Sequence, residues 1–521
     1  MSKLFFSFLL QIIFLPNLLL AQPPIIDILH DSGNGITSID IDQKHFLINT
    51  PTPLISYMIN EGQYSSMHSS SSIKVSYEKA NRSDAELQWL ITFSNISADT
   101  IQLHNVHPFA LQGSDALITG KGNHGLSRTH LFLPGRMPVN VIVPDNAWDL
   151  GYSSIPISEH FHLAALTRRN RASIIQGSRR RFETVLYPGG SVTYNFYALS
   201  YFGDWQSGLK RIFKEKMLFD VEAFNDSLFQ RKDLKWIRHT YVMHLMYAWD
   251  KYYYDISDNR YQLKEFLERG KKLYGGDDVI SIWPTWPTLG LDQRNQFDLF
   301  EDLPGGTKAM QQQAEMSRSL GTRFFICYNP WDESTNRRNH FEGLSQLIRA
   351  TSADGVVLDT KAEAGREFQE AADKVKPGVV MYSEGMAVPK DMHSIVSGRV
   401  HNALYYPPML NLNKFIKPEF AIYRVAELYK EKIRREFATS FFNGYGTEIN
   451  IMAPGQPAWV EDQYAFLGRT SRILRQHTHN FVNGGYTPLM PTSADSIWVN
   501  RWTYREKTVY TIYSTIPQGY T

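Results

Sequence analysis

The second half of the chain alternates short apolar strand patterns with amphipathic helix patterns. Strands are predicted at 240–249, 278–283, 323–328, 355–359, 379–384 and 401–406, and helices at 262–273, 307–320, 341–350, 367–375, 419–437 and 459–476. A seventh strand is expected within 441–451 and an eighth near 486–490. Such alternation builds parallel sheets, and eight units predict a (β/α)8 barrel. An open doubly wound sheet is disfavoured because the sequence lacks a glycine-rich phosphate loop.

Antiparallel β patterns flank the predicted barrel on both sides. Residues 87–93 alternate apolar and polar side chains, and Pro188-Gly189-Gly190 separates two strand patterns, which predicts a tight turn. Alternation returns after Pro491. We therefore expect a multi-domain chain with an antiparallel β-sandwich over residues 22–203, a barrel over 204–491 and the incomplete start of a C-terminal β domain over 492–521.

The N-terminus has the pattern of a secretory signal peptide. Lys3 precedes an apolar run from Leu4 to Leu20, which polar residues interrupt and Ala21 follows. This pattern is typical of a cleaved export signal over residues 1–21 rather than of a membrane span. The sequence therefore predicts an exported protein, periplasmic or extracellular, with no integral membrane segment in the mature chain.

Composition excludes some classes of function. The chain has 54 Lys and Arg against 52 Asp and Glu, so no net field attracts nucleic acid, and the arginines between 168 and 181 are interpreted as a solvated strand face. The single cysteine, Cys327, cannot form an intramolecular disulfide, and its apolar flanks predict a core residue. The counts of 11 Trp, 28 Tyr and 30 Phe suit either stacking on sugar rings or a large core.

Two consecutive strand patterns end in a carboxylate, Asp359 on the fourth and Glu384 on the fifth. Adjacent strands lie about 4.8 Å apart, and retaining glycosidases use two carboxyl groups about 5–5.5 Å apart. Because barrel enzymes place their chemistry at the C-terminal mouth, the pair predicts cleavage of a glycosidic bond. The structural alternatives are a helix cap or a contact with Lys361 for Asp359, and a salt bridge to Lys390 or Arg399 for Glu384.

Residues at the other strand ends can bind a sugar. Aromatic faces stack on sugar C–H groups, while amide, carboxylate and ammonium groups bind hydroxyls. The substrate-binding candidates are Asp250, Trp283, Trp286, Tyr328, Asn329, Lys361 and Tyr405. For the tryptophans, packing of loops on the barrel rim is the alternative. The histidines lack metal-ligand spacing, so no cofactor or catalytic metal is predicted, and a structural calcium stays open.

The order of Asp on strand four and Glu on strand five resembles the retaining α-glycosidases of the α-amylase superfamily. The layout of β-sandwich, barrel and further β structure is similar to that of the exported endo-α-N-acetylgalactosaminidases and their relatives. The resemblance implies an α-linked substrate, Asp359 as nucleophile and Glu384 as general acid/base. Starch-like substrates are not expected, because Val357 stands where the amylases have an arginine and a strand-seven Asp with a following His-Asp pair is missing.

The patterns of other barrel hydrolases match less well. Enzymes with glutamates on strands four and seven need Glu in place of Asp359, with Glu448 as the strand-seven candidate. The α-galactosidase type needs an Asp after strand six, where residues 405–408 are Tyr-Tyr-Pro-Pro, and the spacing of Asp354, Asp359 and Glu363 does not match the chitinase run.

We therefore predict a retaining glycoside hydrolase acting on an oligosaccharide, polysaccharide or glycoconjugate, with the pKa of Glu384 raised by ionised Asp359 and by the apolar Met381 and Met386. The alternatives are an inverting mechanism, a non-catalytic carbohydrate-binding protein on a degenerate barrel, and a structural surface module.

Overall fold

The computed structural model describes residues 25–518 apart from 32, 34, 43, 81–86, 121–128, 144–148, 160, 217–223, 287, 333–338, 362–364, 386–390, 401–407, 428–432 and 452–458. The described residues form antiparallel N-terminal sheets, a closed parallel barrel of eight strands and a small C-terminal sheet. The expected fold class, a multi-domain barrel with flanking β structure, is confirmed. Residues 1–21, the predicted signal peptide, lie outside the described residues.

The N-terminal β structure consists of a small and a large sheet that share one apolar core. The small sheet pairs Ile25–Asp31, Gly35–Ile41 and Lys44–Leu47. The large sheet contains Ile55–Ile59, Gly62–Ser65, Ile73–Lys79, Leu87–Asn95, Ile101–Pro108, Ala116–Thr119, His130–Phe132, Val139–Ile142, Leu150–Pro156, His162–Arg169, Ile175–Arg179 and Glu183–Tyr201, with a 3-10 turn at Arg171–Ser173. The predicted alternation around 87–93 is confirmed, since every second residue of Leu87–Asn95 is buried.

The turn predicted at Pro188-Gly189-Gly190 is wrong, because these residues lie within the continuous strand Glu183–Tyr201. The first part of this strand pairs with Ile101–Pro108 and the later part pairs with Leu87–Asn95. Gly189 has φ 77, and a Cβ on Gly190 would lie 2.2 Å from the Gln176 carbonyl oxygen. The glycines therefore allow a kink where the strand changes neighbours rather than a chain reversal.

One residue of the arginine cluster departs from the predicted solvated face. Arg169 is buried and forms a 2.6 Å ion pair with Asp149, and it donates hydrogen bonds to the Glu183 carbonyl oxygen and to Thr184. It therefore links strands inside the sandwich, and the solvated-face interpretation is wrong for this position.

The barrel closes because its last strand pairs in parallel with its first. Its strands, numbered here as barrel strands 1 to 8, are Val242–Tyr247, Val279–Trp283, Arg323–Tyr328, Gly355–Leu358, Val380–Ser383, Ser397–Val400, Ala421–Glu427 and Gly446–Ile451. The predicted strands 1 to 5 are confirmed within a few residues at their ends. Two short strands, Tyr254–Asp255 and Arg260–Tyr261, form a hairpin after barrel strand 1.

Helices cover the outside of the barrel and bury one apolar face each. They are Leu263–Tyr274, Gln296–Glu301, Gly306–Ser319, His340–Thr351, Arg366–Asp373, Arg434–Phe442 and Val460–Gln476. Further helices are Trp205–Lys216, Ser227–Gln230, Asn413–Ile416, Thr478–Phe481 and the 3-10 helix Lys235–His239. Within the described ranges, no helix is long and apolar enough to cross a membrane.

The sequence-based numbering is wrong after barrel strand 5. Barrel strand 6 is Ser397–Val400, just before the predicted 401–406, which lies outside the described residues. The predicted helix 419–437 contains barrel strand 7, Ala421–Glu427, so Gly446–Ile451 becomes barrel strand 8. Residues 422–426 are all buried, and such a strand has no polar face whose alternation would distinguish it from a buried helix.

The predicted eighth strand belongs to a different sheet. Tyr486–Thr487 pairs antiparallel with Ile497–Tyr504, which in turn pairs with Lys507–Ser514. In the connection between barrel strands 6 and 7, Met409–Asn411 pairs in parallel with Val139–Ile142 of the large N-terminal sheet. Residues of the N-terminal sheet, of this connection and of the C-terminal sheet share a second apolar core.

A buried hydrogen-bond network anchors barrel strand 1 to the surrounding helices. His244 Nδ1 lies 2.5 Å from Asp277 Oδ1, Tyr464 Oη lies 3.0 Å from His244 Nε2, and Tyr274 donates to Asp277 Oδ2 at 2.7 Å. We expect Asp277→Ala to lower the free energy of unfolding by about 2–6 kcal/mol, because it leaves the buried His244 ring and Tyr274 hydroxyl without their acceptor at about 1–3 kcal/mol each. Urea denaturation measures this loss. The control Asp258→Ala removes a 57% exposed carboxylate and is expected to cost less than about 1 kcal/mol; equal losses would contradict the prediction.

Candidate active site

The ends of barrel strands 4 and 5 place Asp359 and Glu384 side by side at the C-terminal end of the barrel. Leu358 is in register with Ser383, and each carboxylate residue follows directly. The Asp359 N–H donates to the Tyr328 carbonyl oxygen at 2.9 Å, and the Glu384 N–H donates to the Leu358 carbonyl oxygen at 3.3 Å. The backbone ladder therefore continues past the assigned strands and fixes both residues.

Asp359 is 6% exposed and is held by Asn329, the residue that follows barrel strand 3. Asn329 Nδ2 donates a hydrogen bond to Asp359 Oδ2. The orientation of the amide is fixed from behind, because Thr285 Oγ1 donates to Asn329 Oδ1 at 2.7 Å. The Gln296 side chain binds the Asn329 backbone twice, at 2.8 and 2.9 Å. Asn329, predicted as a substrate-binding residue, therefore lies in the site as a rigid donor to Asp359.

Glu384 is bound by a cation and by a backbone amide. Its Oε1 lies 3.1 Å from Nη1 of Arg399, and its Oε2 accepts a hydrogen bond from the N–H of Thr360. Thr360 has φ 61, which is rare for a β-branched residue and places strain next to the carboxyl pair. The salt bridge to Arg399, given above as a structural alternative for Glu384, is present, and Lys390 lies outside the described residues.

The two carboxyl groups interact strongly with each other. Burial, a hydrogen bond with Glu384 and the charge of Glu384 together raise the pKa of Asp359 to about 8, against the smaller opposing effects of Arg399 and Asn329. The raised pKa was predicted for Glu384, but Arg399 and the Thr360 N–H both favour the ionised form of that residue. Met381 does not act as predicted, because strand alternation turns it to the face opposite Glu384, and Met386 lies outside the described residues.

Arg399 continues the site into the barrel interior. It lies on barrel strand 6 and is 2% exposed, and its Nε lies 3.3 Å from Oε2 of Glu448 on barrel strand 8. The Tyr382 hydroxyl donates to the same Glu448 oxygen. Burial alone lowers the pKa of Arg399, but nearby carboxyl groups, first Glu448 and then Glu384, oppose this effect and the pKa is raised. Burial, followed by the charge of Glu448, raises the pKa of Tyr382 well above its usual value, so this hydroxyl stays a donor.

Sequence reasoning did not find this network. Glu448 was considered only as a strand-seven candidate, whereas it lies in the middle of barrel strand 8. Arg399 and Glu448 are charged residues within buried strand patterns, and this was the available signal. Because a buried charge is rare without a counterion, each of them predicts a charged partner nearby.

The structure places the remaining predicted residues unevenly. Trp283 is 7% and Trp286 48% exposed, with ring centroids 6.2 Å apart, at the end of barrel strand 2. Asp250, after barrel strand 1, is buried and accepts from the Tyr252 N–H at 2.8 Å, and burial raises its pKa. Lys361 lies in the exposed turn after Asp359, where its N–H donates to the Leu358 carbonyl oxygen. Tyr405 lies outside the described residues.

Tyr328 does not join the carboxyl pair. It is fully buried, its ring packs near His340, and its hydroxyl lies 3.0 Å from Nδ1 of that histidine, in the layer between barrel and helices. Its neighbour Cys327 points into the barrel, 3.5 Å from Ser281 Oγ, and burial raises the pKa of its thiol well above the usual value. The core position predicted for Cys327 is confirmed. The prediction that Tyr328 faces the mouth is wrong, because alternation along the strand turns it outward.

Among the residues that the structure describes, no three His, Cys, Asp or Glu side chains stand together as ligands for a metal ion. The chemistry that the site offers is that of two adjacent carboxyl groups, an amide donor and a buried arginine.

No protein-family model matches the chain, and no curated protein matches it. Two solved structures of the alpha-N-acetylgalactosaminidase NagBb from Bifidobacterium bifidum are similar. A quadruple mutant has a TM-score of 0.51 at 9% identity and covers 94% of this chain and 98% of its own. The ligand-free form has a TM-score of 0.51 at 10% identity and covers 93% and 97%. A GH36 alpha-galactosidase from Geobacillus stearothermophilus has a TM-score of 0.41 at 9% identity, covering 89% of this chain and 76% of its own. At these identities the two NagBb structures show a shared fold.

Proposed function

We propose that this protein is a glycoside hydrolase that cleaves an α-linked glycosidic bond by double displacement, with Asp359 as nucleophile and Glu384 as general acid/base. The observation that carries the proposal is the pair of carboxyl groups that follow directly after two paired barrel strands. Barrel enzymes hold their reacting groups at this end of the strands.

The separation of the carboxyl groups favours retention over inversion. An inverting enzyme needs about 6.5–9.5 Å between them to hold a water molecule, whereas a retaining enzyme needs about 5–5.5 Å. Carboxyl groups that follow directly after two paired strands, which lie about 4.8 Å apart, are closer to the retaining separation than to the inverting one. A small outward movement of the Glu384 side chain would open the gap that a pyranose ring and its leaving oxygen require.

The proposed reaction uses the proton that the pair already shares. Asp359 attacks the anomeric carbon while Glu384 gives its proton to the leaving oxygen, which forms a covalent glycosyl ester on Asp359 and a free alcohol. Glu384 then takes a proton from water as the water oxygen attacks the same carbon, and the Asp359 carboxylate leaves. The contacts of Arg399 and Thr360 favour proton occupancy of Asp359, so the proposal requires the sugar to break the shared hydrogen bond and leave the proton with Glu384.

Binding of the sugar is assigned to the rim of the barrel. Trp286 is exposed beside Trp283 and offers an aromatic face to a pyranose ring, and Asp250 can bind hydroxyl groups. The similar structures belong to a protein named as an alpha-N-acetylgalactosaminidase. This name supports α-galactosides and α-N-acetylgalactosaminides as the first substrates to test.

The experiment is hydrolysis of a panel of aryl α- and β-glycosides, with the anomer of the first-formed sugar followed by NMR. Cleavage of an α-glycoside with an initially α product supports the proposal and names the sugar. A β product from an α-glycoside would replace double displacement by inversion. Binding of glycans without turnover would contradict the enzymatic function and would instead support a carbohydrate-binding protein.

Export is part of the same proposal, because glycans outside the cell are the accessible substrates of a secreted hydrolase. It is supported by the apolar run from Leu4 to Leu20 and the following Ala21. N-terminal sequencing of the protein from the extracytoplasmic fraction is expected to begin at Gln22, and recovery of an intact Met1 would contradict export.

The contact between Asn329 and Asp359 predicts a pH effect. Asn329 donates to the carboxylate and therefore lowers the pKa of Asp359. Because Asp359 must be ionised to attack, we expect Asn329→Ala to move the acid limb of the kcat/KM profile to higher pH by about 0.5–1 unit. The control Asn339→Ala removes a helix cap remote from the pair, where the Asn339 side chain accepts from the Phe341 N–H, and is expected to leave this limb in place. An unmoved limb in Asn329→Ala would contradict the role of this donor.

A further inference from the structure

The buried arginine beside Glu384 presents a chemical difficulty for the proposed function. A guanidinium about 3 Å from a carboxyl group favours the ionised form of that group, whereas a general acid must carry a proton. Arg399 Nη1 lies 3.1 Å from Glu384 Oε1. If Arg399 acted alone, it would hold Glu384 in place and at the same time weaken its ability to stay protonated.

The second carboxylate of the network addresses this difficulty. Glu448 reaches Arg399 from barrel strand 8, with its Oε2 3.3 Å from Nε, whereas Glu384 contacts Nη1. Glu448 is fully buried, and the Tyr382 hydroxyl binds the same oxygen that faces Arg399. Arg399 therefore stands between two carboxyl groups, of which one faces the proposed reaction and the other lies in the barrel interior.

We propose that Arg399 and Glu448 form a positioning pair: Arg399 fixes the Glu384 carboxyl group beside Asp359, and Glu448 offsets the charge of Arg399 so that Glu384 can hold a proton. This inference rests on the proposed function for its purpose, but its electrostatic content concerns Glu384 alone. Neither residue reacts. Both act on the reacting atoms through Glu384.

The charges around Arg399 can be counted strand by strand. The groups that interact with it electrostatically or share its interior layer come from barrel strands 3, 4, 5, 7 and 8, and they are Cys327, Asp359, Tyr382, Glu384, Tyr423 and Glu448. The cysteine and the tyrosines are neutral, because burial raises the pKa of each. Three carboxyl groups then surround one guanidinium, and burial together with Glu384 raises the pKa of Asp359, so the pair of Asp359 and Glu384 retains a proton.

A second buried arginine shows what the same chemistry does without a reacting carboxyl nearby. Arg424 lies on the neighbouring barrel strand 7 and is 1% exposed, but it points to the helix layer and binds Glu436 at 2.5 Å. Arg424 matches Arg399 in burial and in having a carboxylate partner, but it faces the helix layer whereas Arg399 faces the barrel interior. Arg424 is therefore the matched control.

The test measures the pH profile of kcat/KM on the best glycoside of the panel. In Glu448→Gln, which is nearly isosteric, the charge of Arg399 is no longer offset, and both limbs are expected to move to lower pH by about 0.5–1 unit. In Arg399→Met the cation is lost, and both limbs are expected to move to higher pH by about 1–3 units. Arg399→Lys is expected to restore most of the wild-type position, while Arg424→Met is expected to lower the unfolding temperature without moving either limb.

Movement of the pH limbs in opposite directions in Glu448→Gln and Arg399→Met distinguishes this proposal from a purely structural role. Loss of packing alone would not move the limbs one way in one variant and the other way in the other. Shifts in the same direction, or none in Glu448→Gln, would overturn the proposal. If Arg399→Met does not fold, Glu448→Gln still decides the outcome. If the protein cleaves nothing, 13C NMR titration of Glu-labelled protein, with Glu384 assigned by Glu384→Gln, measures the same shifts. Opposite shifts in that titration support the pair while the proposed function fails, and a Glu384 signal unmoved in both variants overturns the pair.

Discussion

We expect Asp359→Asn to abolish hydrolysis of every glycoside that the wild type cleaves, with kcat lower by on the order of 10⁴-fold or more. An amide has the shape of the carboxylate but cannot attack the anomeric carbon, so no glycosyl ester forms. Since Asp359 is buried and bound by Asn329 through a single oxygen, the substitution is expected to keep the fold. Steady-state hydrolysis, with the unfolding temperature measured in parallel, checks both expectations.

A matched control lies at the opposite end of the same strand. Asp354 is 4% exposed and binds Arg318, Lys376 and the Phe324 N–H just before barrel strand 4 begins. We expect Asp354→Asn to lower stability but to leave kcat per folded molecule within a few-fold of wild type, because that end of a barrel serves stability. Retained turnover in Asp359→Asn, or equal loss in both variants, would remove Asp359 from the mechanism.

The second large effect concerns the leaving group. We expect Glu384→Gln to lower kcat/KM on unactivated disaccharides by about 10²–10⁴-fold, because the leaving oxygen no longer receives a proton. Aryl glycosides with acidic phenols need little proton transfer, so their cleavage to the glycosyl ester is expected to fall far less. A series of phenols with graded acidity measures this difference as the slope of log kcat/KM against leaving-group pKa.

An external nucleophile distinguishes the two roles. With an aryl α-glycoside and azide, the Glu384→Ala variant is expected to give the α-glycosyl azide, since azide replaces water on the glycosyl ester. The Asp359→Gly variant is expected to give the β-glycosyl azide by one direct displacement. The reverse pattern would exchange the roles of the two residues. That outcome is informative because the contacts of Arg399 and Thr360 with Glu384 favour the ionised form that a nucleophile needs. Glu436→Gln, which alters an ion pair outside the barrel, serves as the inert control.

The first five barrel strands could be predicted from sequence because each is short, apolar and bounded by turn residues and an amphipathic helix. Barrel strand 7 could not, because residues 422–426 are buried throughout and lack the polar face that marks a strand. Closure of the barrel depends on the pairing of Val242 with Thr447, a contact between residues far apart in the chain that no local pattern contains.

The candidate site, like the fold, could be predicted only where local sequence patterns determine it. Asp359 and Glu384 could be placed together because both follow adjacent strands, and Asn329 could be placed near them on the same ground. The contact between Arg399 and Glu448 requires barrel strands 6 and 8, which flank strand 7, to turn both side chains into the interior, and this arrangement depends on the strand numbering that was predicted wrongly from sequence. Tyr328 was misassigned because a strand's last residue can point to either side, and parity is fixed only by the pairing of the whole strand.

The strand Met409–Asn411 makes the barrel and the N-terminal β structure a single architectural unit. After barrel strand 6 the chain adds one strand to the large N-terminal sheet and then returns to form barrel strand 7. The other strands of that sheet lie more than two hundred residues earlier in the sequence. A barrel expressed from residue 204 onward would keep Met409–Asn411 without its pairing partner. The N-terminal sheet expressed alone would expose Val139–Ile142 as an unpaired edge strand, which favours aggregation. Exchange of modules between relatives of this protein would therefore have to move both halves together.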